Sequence, residues 1–241
     1  MKRTFLAVAA LATAPLLWPA SASAGLLFEY STNGGVSFTS LCSAGSGGVC
    51  TFTGPVALGN GLSVSGGAAQ SNSPGTPVQA DLFSSTVSVA NTSGGTASVE
   101  FLIGDVGFTN PTAPPGSLLL SSNIGGSVNT GGSGNLLSYL SCADQGNVQN
   151  NCTGTMNTPA VMPDITASNS NYSLGSSLAI ASLAAPFSMT EQVQITLSAG
   201  SIFNWSATTD LTHVPEPASL TLLGSALIGL GWLGRRRNKR A

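Results

Sequence analysis

Residues 187–208 read FSMTEQVQITLSAGSIFNWSAT, and their alternating pattern decides the fold class. In the first half, apolar residues occupy the odd positions and polar residues the even ones, with Glu191 as the single exception. After a turn at 199–201 the alternation resumes around Trp205, which falls on the apolar face and is therefore predicted to be a core residue. Because successive side chains of a β-strand point to opposite faces, the segment predicts an antiparallel hairpin with one buried face.

The rest of the body repeats this pattern. Residues 78–90 and 97–103 predict a second hairpin, whereas residues 121–135 and 143–171 are rich in Gly, Asn and Ser and are predicted loops. Only residues 178–183 have a spacing compatible with a helix. Shorter strands are predicted at 26–30, 36–41, 50–53, 62–68 and 118–121. Many short strands with Gly-rich turns indicate an all-β protein, an antiparallel β-sandwich of jelly-roll or immunoglobulin-like type.

Four cysteines bracket two short polar loops, Cys42 with Cys50 and Cys142 with Cys152. Four cysteines allow three pairings, and pairing within each loop is the natural choice. Zinc binding is the alternative, but the spacing is wide and His213 is the only histidine. We therefore predict two local disulfides, each contributing roughly 2–3 kcal/mol, with no metal site and no cofactor. Disulfides indicate an oxidising compartment.

Charge is distributed unevenly along the chain. All seven basic residues lie in the two terminal segments, and residues 25–214 contain no Lys and no Arg. Binding to nucleic acid requires basic side chains at the phosphates, so this composition excludes it and disfavours phosphate-bearing cofactors. The body carries eight acidic residues: Glu29, Asp81, Glu100, Asp105, Asp144, Asp164, Glu191 and Asp210.

The first 24 residues have the three parts of a signal peptide. Two basic residues precede an apolar stretch at 5–18, and Ala22-Ser23-Ala24 forms an A-x-A cleavage site. Cleavage by signal peptidase after Ala24 makes Gly25 the first mature residue, and cleavage after Ala22 is the alternative. The sequence therefore predicts export of the β-sandwich domain, residues 25–213.

The C-terminal segment, residues 214–240, also has three parts. Val214-Pro215-Glu216-Pro217 precedes an uncharged apolar span, 218–233, which would measure roughly 24 Å as a helix. A basic cluster follows the span: Arg235, Arg236, Arg237, Lys239 and Arg240. Because basic residues beside a span stay on the cytoplasmic side, the pattern predicts a single transmembrane helix with the body outside. A buried core helix is the alternative, against which the adjoining arginines argue.

This tripartite tail resembles the PEP-CTERM signal, which bacterial exosortases process on exported proteins. The resemblance covers about a tenth of the chain. It implies a transient anchor in the inner membrane, cleavage by an exosortase near Pro215-Glu216-Pro217, and association with exopolysaccharide at the cell surface or in the extracellular matrix. A related segment occurs on some ice-binding proteins, but Thr208, Thr209 and Thr212 do not form the Thr-x-Thr array that would support ice binding.

Catalytic chemistry has little support in the body. There is no Gly-x-Ser-x-Gly motif, and His213 borders the sorting motif, where a linker is expected. Asp210 is expected to end a strand. A hydrolase of sugars would need two carboxylates across a cleft, which sequence alone does not reveal. We assign no catalytic residue.

Two kinds of ligand contact can be named. Asp105, Asp144 or Asp164 could bind calcium together with loop carbonyls, and Tyr139 and Tyr172, outside the predicted strands, are candidate polysaccharide contacts. The leading hypothesis is a non-enzymatic surface or matrix protein of structural or adhesive type. A secreted binding module for polysaccharide, calcium or ice is the second hypothesis, and a secreted hydrolase is the third.

Overall fold

In the part of the chain that the structure describes, eleven β-strands form two antiparallel sheets. The structure, a computed structural model, describes residues 25–113, 116–153 and 156–214, together with Ser225. The strands are β1 (Gly25–Ser31), β2 (Thr39–Gly45), β3 (Val49–Gly59), β4 (Leu62–Ser71), β5 (Gln79–Asn91), β6 (Ala97–Phe108), β7 (Leu118–Thr130), β8 (Leu136–Asp144), β9 (Ser170–Ile180), β10 (Phe187–Leu197) and β11 (Ile202–His213). The all-β antiparallel sandwich predicted from the alternation is confirmed.

The strand order identifies the sandwich as a jelly roll. One sheet has five strands in the order β2-β1-β6-β10-β8, and the other has six in the order β3-β4-β5-β11-β7-β9. From β5 to β11 consecutive strands alternate between the sheets, and β5 lies beside β11 while β6 lies beside β10. The chain thus forms a long antiparallel ribbon rolled around the core, which is the jelly-roll arrangement rather than the immunoglobulin one.

Both predicted hairpins are wrong in their pairing, although their strands exist. The turn after β10 leads to β11 in the opposite sheet, and the turn after β5 leads to β6 in the opposite sheet. The two crossovers lie side by side: Asn91 N donates to Ser201 O at 2.9 Å, and Gly200 N donates to Asn91 O at 2.9 Å. Asn91 Nδ2 also donates to Leu197 O at 2.8 Å. The alternation of apolar and polar residues shows which face of a strand is buried. It does not show whether the next strand pairs in the same sheet or crosses to the other, because the pattern is the same in both cases.

The core joins aromatic rings from both sheets. Phe28 on β1 and Phe101 on β6 meet Phe52 on β3 and Trp205 on β11, with ring centroids 5.4 Å apart for Phe28–Phe52 and 6.1 Å for Phe101–Trp205. The Phe28 and Phe52 rings are edge to face at 81°, an arrangement that aromatic quadrupoles favour. Trp205 is buried in this cluster, as its place on the apolar face predicts.

Both disulfides join the cysteines that bracket a loop. Cys42 on β2 pairs with Cys50 on β3, and because these strands belong to different sheets, the bond closes one side of the sandwich. Cys142, near the end of β8, pairs with Cys152 in the following loop. Among the described residues no cysteine is free.

Two local predictions from composition are wrong. Residues 121–135 were expected to form a loop, but β7 continues through Thr130, and residues 178–180 end strand β9 instead of starting a helix. Gly126 in β7 is required by close packing, because a Cβ at this position would collide with the carbonyl oxygen of Asn204 and approach the Tyr172 hydroxyl. Residues 145–169 are irregular where the structure describes them, as predicted.

Several sequence predictions lie outside the described residues. They are the signal peptide at 1–24 with Ala24, the motif residues Pro215, Glu216 and Pro217, the span at 218–233, and the basic cluster Arg235, Arg236, Arg237, Lys239 and Arg240. Within the described ranges, no helix has the length and hydropathy needed to cross a bilayer.

Candidate functional site

An open groove lies on the outer face of the five-stranded sheet. Its floor consists of side chains from alternate positions, Ser98 and Glu100 on β6, Gln194 and Thr196 on β10, and Leu136 on β8. These positions face outward because their neighbours in each strand face the core. The space measures about 580 Å³, and we call it the outer groove.

Two walls flank the outer groove. One is the turn after β1, in which Ser31 Oγ accepts from Gly35 N at 3.0 Å and Asn33 Oδ1 accepts from Ser37 N at 3.1 Å. The other is the segment 162–166, in which Asp164 Oδ1 accepts from Thr166 N at 2.9 Å. Hydrogen bonds to Thr166 lower the pKa of Asp164, so this carboxylate is ionised at neutral pH.

The side chains that line the outer groove are mostly polar, with a smaller apolar part. Glu100 accepts a hydrogen bond from Gln192 at 2.5 Å, and Asp164 is the other acid of the lining. Met162 and Leu136 expose 74% and 68% of their surface, so the groove also offers apolar area. The body contains no Lys or Arg to attract an anion. The groove therefore suits a neutral or cationic ligand with hydroxyl groups.

The loop closed by the Cys142–Cys152 disulfide covers the other half of the outer face of the five-stranded sheet. Asn150 Nδ2 donates to Glu29 Oε1 at 2.8 Å, and Gln149 Nε2 donates to Gly104 O at 2.7 Å. Asp144 organises the loop by accepting from Gly146 N at 3.0 Å and Val148 N at 3.1 Å. The Cys142–Cys152 bond thus holds a cover over half of the sheet and leaves the outer groove as the open half.

The carboxyl groups of the candidate calcium ligands accept hydrogen bonds from backbone N–H groups. Asp105 is buried and accepts from Gly47 N at 3.1 Å and Val106 N at 2.8 Å, while Asp144 and Asp164 organise their own loops. In the part of the chain that the structure describes, no three of the His, Cys, Asp and Glu side chains come together as metal ligands would.

Glu191, the exception to the alternation, faces the core with its apolar neighbours. It is fully buried, with Ser84 Oγ 2.5 Å from Glu191 Oε2 and Thr209 Oγ1 3.3 Å from Oε1. Thr209 Oγ1 also lies 2.5 Å from Ser141 Oγ. Burial raises the pKa of Glu191 to about 8, because removing the carboxylate from water disfavours its charge more than the hydroxyl donors favour it. The carboxyl is therefore mostly protonated at neutral pH.

The tyrosines differ from their predicted role. Tyr139 is fully buried between the sheets, where its hydroxyl lies 3.0 Å from Ser141 Oγ and donates to Thr208 O at 3.1 Å, so its proposal as a polysaccharide contact is wrong. Tyr172 is half-buried on β9 and donates to Asn204 O at 2.9 Å. Tyr139 and Tyr172 thus share no exposed groove.

Asp81 and Asp210 form a carboxyl pair that could not be predicted from the sequence, because the two residues are far apart along the chain. They are directly opposite each other on β5 and β11. Burial, followed by a hydrogen bond and charge repulsion from Asp210, raises the pKa of Asp81 to about 6. Glycosidases keep their two carboxyl groups at least about 5 Å apart to hold a sugar bond between them. Both oxygens of Asp81 are instead used within the fold, because Oδ1 accepts from Gln79 Nε2 at 2.5 Å and Oδ2 accepts from Asn72 Nδ2 at 3.0 Å.

His213 and Asp210, which were considered as possible catalytic residues, lie at other positions in the fold than the sequence predicted. His213 is the last residue of β11, paired with Leu118, and not a linker residue. Asp210 lies within β11 and does not end it. Val214 follows directly, and its N–H donates to Ser117 O at 2.9 Å. The Val-Pro-Glu-Pro segment therefore begins where the sandwich ends.

Comparison with known proteins gives different results for the sandwich and for the C-terminal segment. No protein of curated function matches the chain in sequence. Among solved structures, the chain is similar to TmCBM61, solved in complex with β-1,4-galactotriose, at 8% identity and a TM-score of 0.32, over 62% of this chain and 88% of that one.

Two further solved structures are also only distantly similar. The C-terminal CBM6 of LamC, a marine laminarinase from Zobellia galactanivorans, shares 13% identity at a TM-score of 0.24, over 51% of this chain and 79% of that one. The enzymatically active domain of tailspike protein 4 from bacteriophage CBA120 shares 11% identity at a TM-score of 0.31, over 64% of this chain and 20% of that one. Likenesses of this size carry no argument about function.

The C-terminal segment gives a definite match. Residues 213–237 match the family described as the PEP-CTERM protein-sorting motif. The match begins at the last residue of β11 and includes Val214, Pro215, Glu216, Pro217 and the first arginines of the basic cluster. The chain therefore carries the PEP-CTERM protein-sorting motif at the C-terminal end of its β-sandwich.

Proposed function

We propose that this chain is an exported, non-enzymatic protein of the bacterial surface or extracellular matrix, with a structural or adhesive sandwich. The observation that carries the proposal is the PEP-CTERM match at residues 213–237, immediately after the last strand. A sorting motif of this kind marks a protein that is exported and then processed.

Both processing events would leave the sandwich whole. Cleavage by signal peptidase after Ala24 falls directly before β1, which begins at Gly25. Cleavage by an exosortase near Pro215-Glu216-Pro217 falls directly after β11, which ends at His213. Between the two cuts lie the eleven strands found among the described residues and the disulfides Cys42–Cys50 and Cys142–Cys152. The tail would serve as a temporary anchor, held in the inner membrane by the span at 218–233 and the basic residues behind it.

The decisive experiment changes Pro215-Glu216-Pro217 to three alanines in the native host. We expect the variant to accumulate as full-length protein in the inner membrane and to disappear from the surface and matrix fractions. Deletion of residues 218–241 is the control, because it should give a soluble periplasmic product whether or not the motif is recognised. Unchanged processing of the alanine variant, measured as intact mass, would show that the tail is an ordinary membrane anchor.

A binding function for the outer groove is the second candidate. The favouring observation is its lining of amides, hydroxyls and two carboxylates beside exposed Met162 and Leu136, in a body without basic residues. Such a surface suits an uncharged polysaccharide, whose hydroxyls bond amides and carboxylates while its sugar faces contact apolar side chains.

Affinity electrophoresis in gels containing the host's own exopolysaccharide tests this candidate. Gln194→Ala together with Glu100→Ala should abolish a retardation that the unchanged protein shows. Ser206→Ala, on the six-stranded sheet, is the control. Equal retardation of all three proteins would place any binding elsewhere, and hydrolysis of the polysaccharide would favour the hydrolase hypothesis instead.

A further inference from the structure

We propose that β9 is an association edge, through which two copies of the sandwich join their six-stranded sheets by antiparallel pairing of β9 with β9. The partner of the body is then a second copy of this chain, and the pairing involves neither the sorting motif nor the outer groove. The two sheets end at four edges, β2 and β8 in the five-stranded sheet and β3 and β9 in the six-stranded sheet, and these edges differ in what protects them.

Strands β2 and β3 are poor templates for pairing. The edge strand β3 contains Pro55, which has no N–H to donate, and its register with β4 is irregular at 52–55 and 57–59. The edge strand β2 has seven residues and is tied by Cys42 to Cys50 on β3. Proline, irregular register and short length are the features by which natural sheets avoid association.

The edge of β8 is already occupied by the chain itself. Tyr139 exchanges two hydrogen bonds with Val161, at 3.0 Å and 2.8 Å. Further along, Thr158 N donates to Ser141 O at 2.9 Å and Ala143 N donates to Met156 O at 3.1 Å. The segment 156–161 therefore covers the backbone groups that β8 would otherwise offer.

The backbone of strand β9 has none of these protections, and its contact with the segment 156–161 is through a side chain, with Ser176 Oγ donating to Pro159 O at 2.6 Å. Its 11 residues, SNYSLGSSLAI, contain no proline and no charge, and they pair with β7 in an unbroken register from Ser170 to Ile180. Alternate residues bond β7, so about half of the strand directs its N–H and C=O groups to the outer edge. Among the described residues, no other strand pairs with that edge. Leu174 is 43% exposed in the middle of the strand.

The absence of charge on β9 makes a second copy a compatible occupant. Every charged residue between 25 and 214 is acidic, so two copies repel each other where acids face acids and repel least where neither surface carries an acid. Strands β9 and β7 together form a region of the six-stranded sheet without any acid. Pairing centred on Gly175 would place Tyr172 of one copy opposite Leu178 of the other, and both side chains already lie against the core.

The test measures self-association by sedimentation velocity, for the full chain in detergent and for the exported body, residues 25–214. The variant Ser173→Glu with Ser177→Glu adds like charges to both copies, and we expect it to weaken association by about tenfold or more. The control, Thr51→Glu with Thr53→Glu, adds the same charge to exposed positions of the opposite edge strand β3. We expect the control to associate like the unchanged protein.

Amide hydrogen exchange of the unchanged protein provides a second measurement that does not depend on a variant folding. The outward amides of β9 should be protected at high protein concentration and exchange rapidly at low concentration. A monomer at all concentrations, or equal loss of association in both variants, would overturn the proposal. Protection of β9 that does not depend on concentration would also overturn it, because a segment of the same chain would then cover the edge.

Discussion

Replacing Glu191 with glutamine should stabilise the sandwich at neutral pH and remove most of the pH dependence of its stability. Glu191 is fully buried in a body without basic residues, and its surroundings are hydroxyl groups. Glutamine has the same shape, and its amide can donate to one hydroxyl and accept from another, as the protonated carboxyl does. The substitution therefore removes the titratable carboxyl group and changes little else in the core.

The magnitude follows from the two pKa values. Burial raises the pKa of Glu191 to about 8, from an ordinary value of 4.5. Between these values the folded protein holds a proton that the unfolded chain releases, so the free energy of unfolding falls by up to about 1.4 kcal/mol per pH unit. The carboxyl's contribution is largest below the unfolded pKa, declines as pH rises, and levels off above the folded pKa. At pH 7 the accumulated loss is on the order of 3 kcal/mol.

Urea unfolding followed by the fluorescence of Trp205, the body's single tryptophan, measures the effect. We expect Glu191→Gln to match the unchanged protein near pH 5 and to exceed it by roughly 3–4 kcal/mol near pH 8. Glu100→Gln is the matched control, because it removes the same charge from the surface. Asp81, whose pKa is raised to about 6, adds a smaller slope in the same direction. Equal slopes for Glu191→Gln and the unchanged protein would refute the reasoning.

Three further predictions concern the core and the termini of the fold. Trp205→Ala should lower the free energy of unfolding by about 3–5 kcal/mol in a urea titration followed by circular dichroism, because it empties the aromatic cluster that joins both sheets. Non-reducing peptide mapping of the exported protein should recover the two local disulfides, and a dominant peptide joining Cys42 to Cys142 would contradict that pairing. His213→Ala should leave any activity of the purified body unchanged, and a large loss of turnover in a folded variant would contradict the proposal that the body is not an enzyme.

Much of this protein follows from local sequence. Alternation at 187–197 identified the strands and the buried face because side-chain direction depends only on the neighbouring residues. The same holds for Trp205 in the core and for disulfides that close short loops, since cysteines close in sequence meet whatever the global fold. The C-terminal motif was recognisable because a sorting signal is read as a linear segment, independently of the sandwich before it.

Tertiary structure alone decided which strands became neighbours. An apolar alternation on either side of a turn is the same whether the chain folds back in one sheet or crosses to the other, so both crossovers appeared in sequence as hairpins. That choice put Asp81 opposite Asp210, enclosed Tyr139 and Glu191 between the sheets, and left β9 at an open edge. Each of these depends on contacts between residues distant in sequence, which only the packing of the complete sandwich determines.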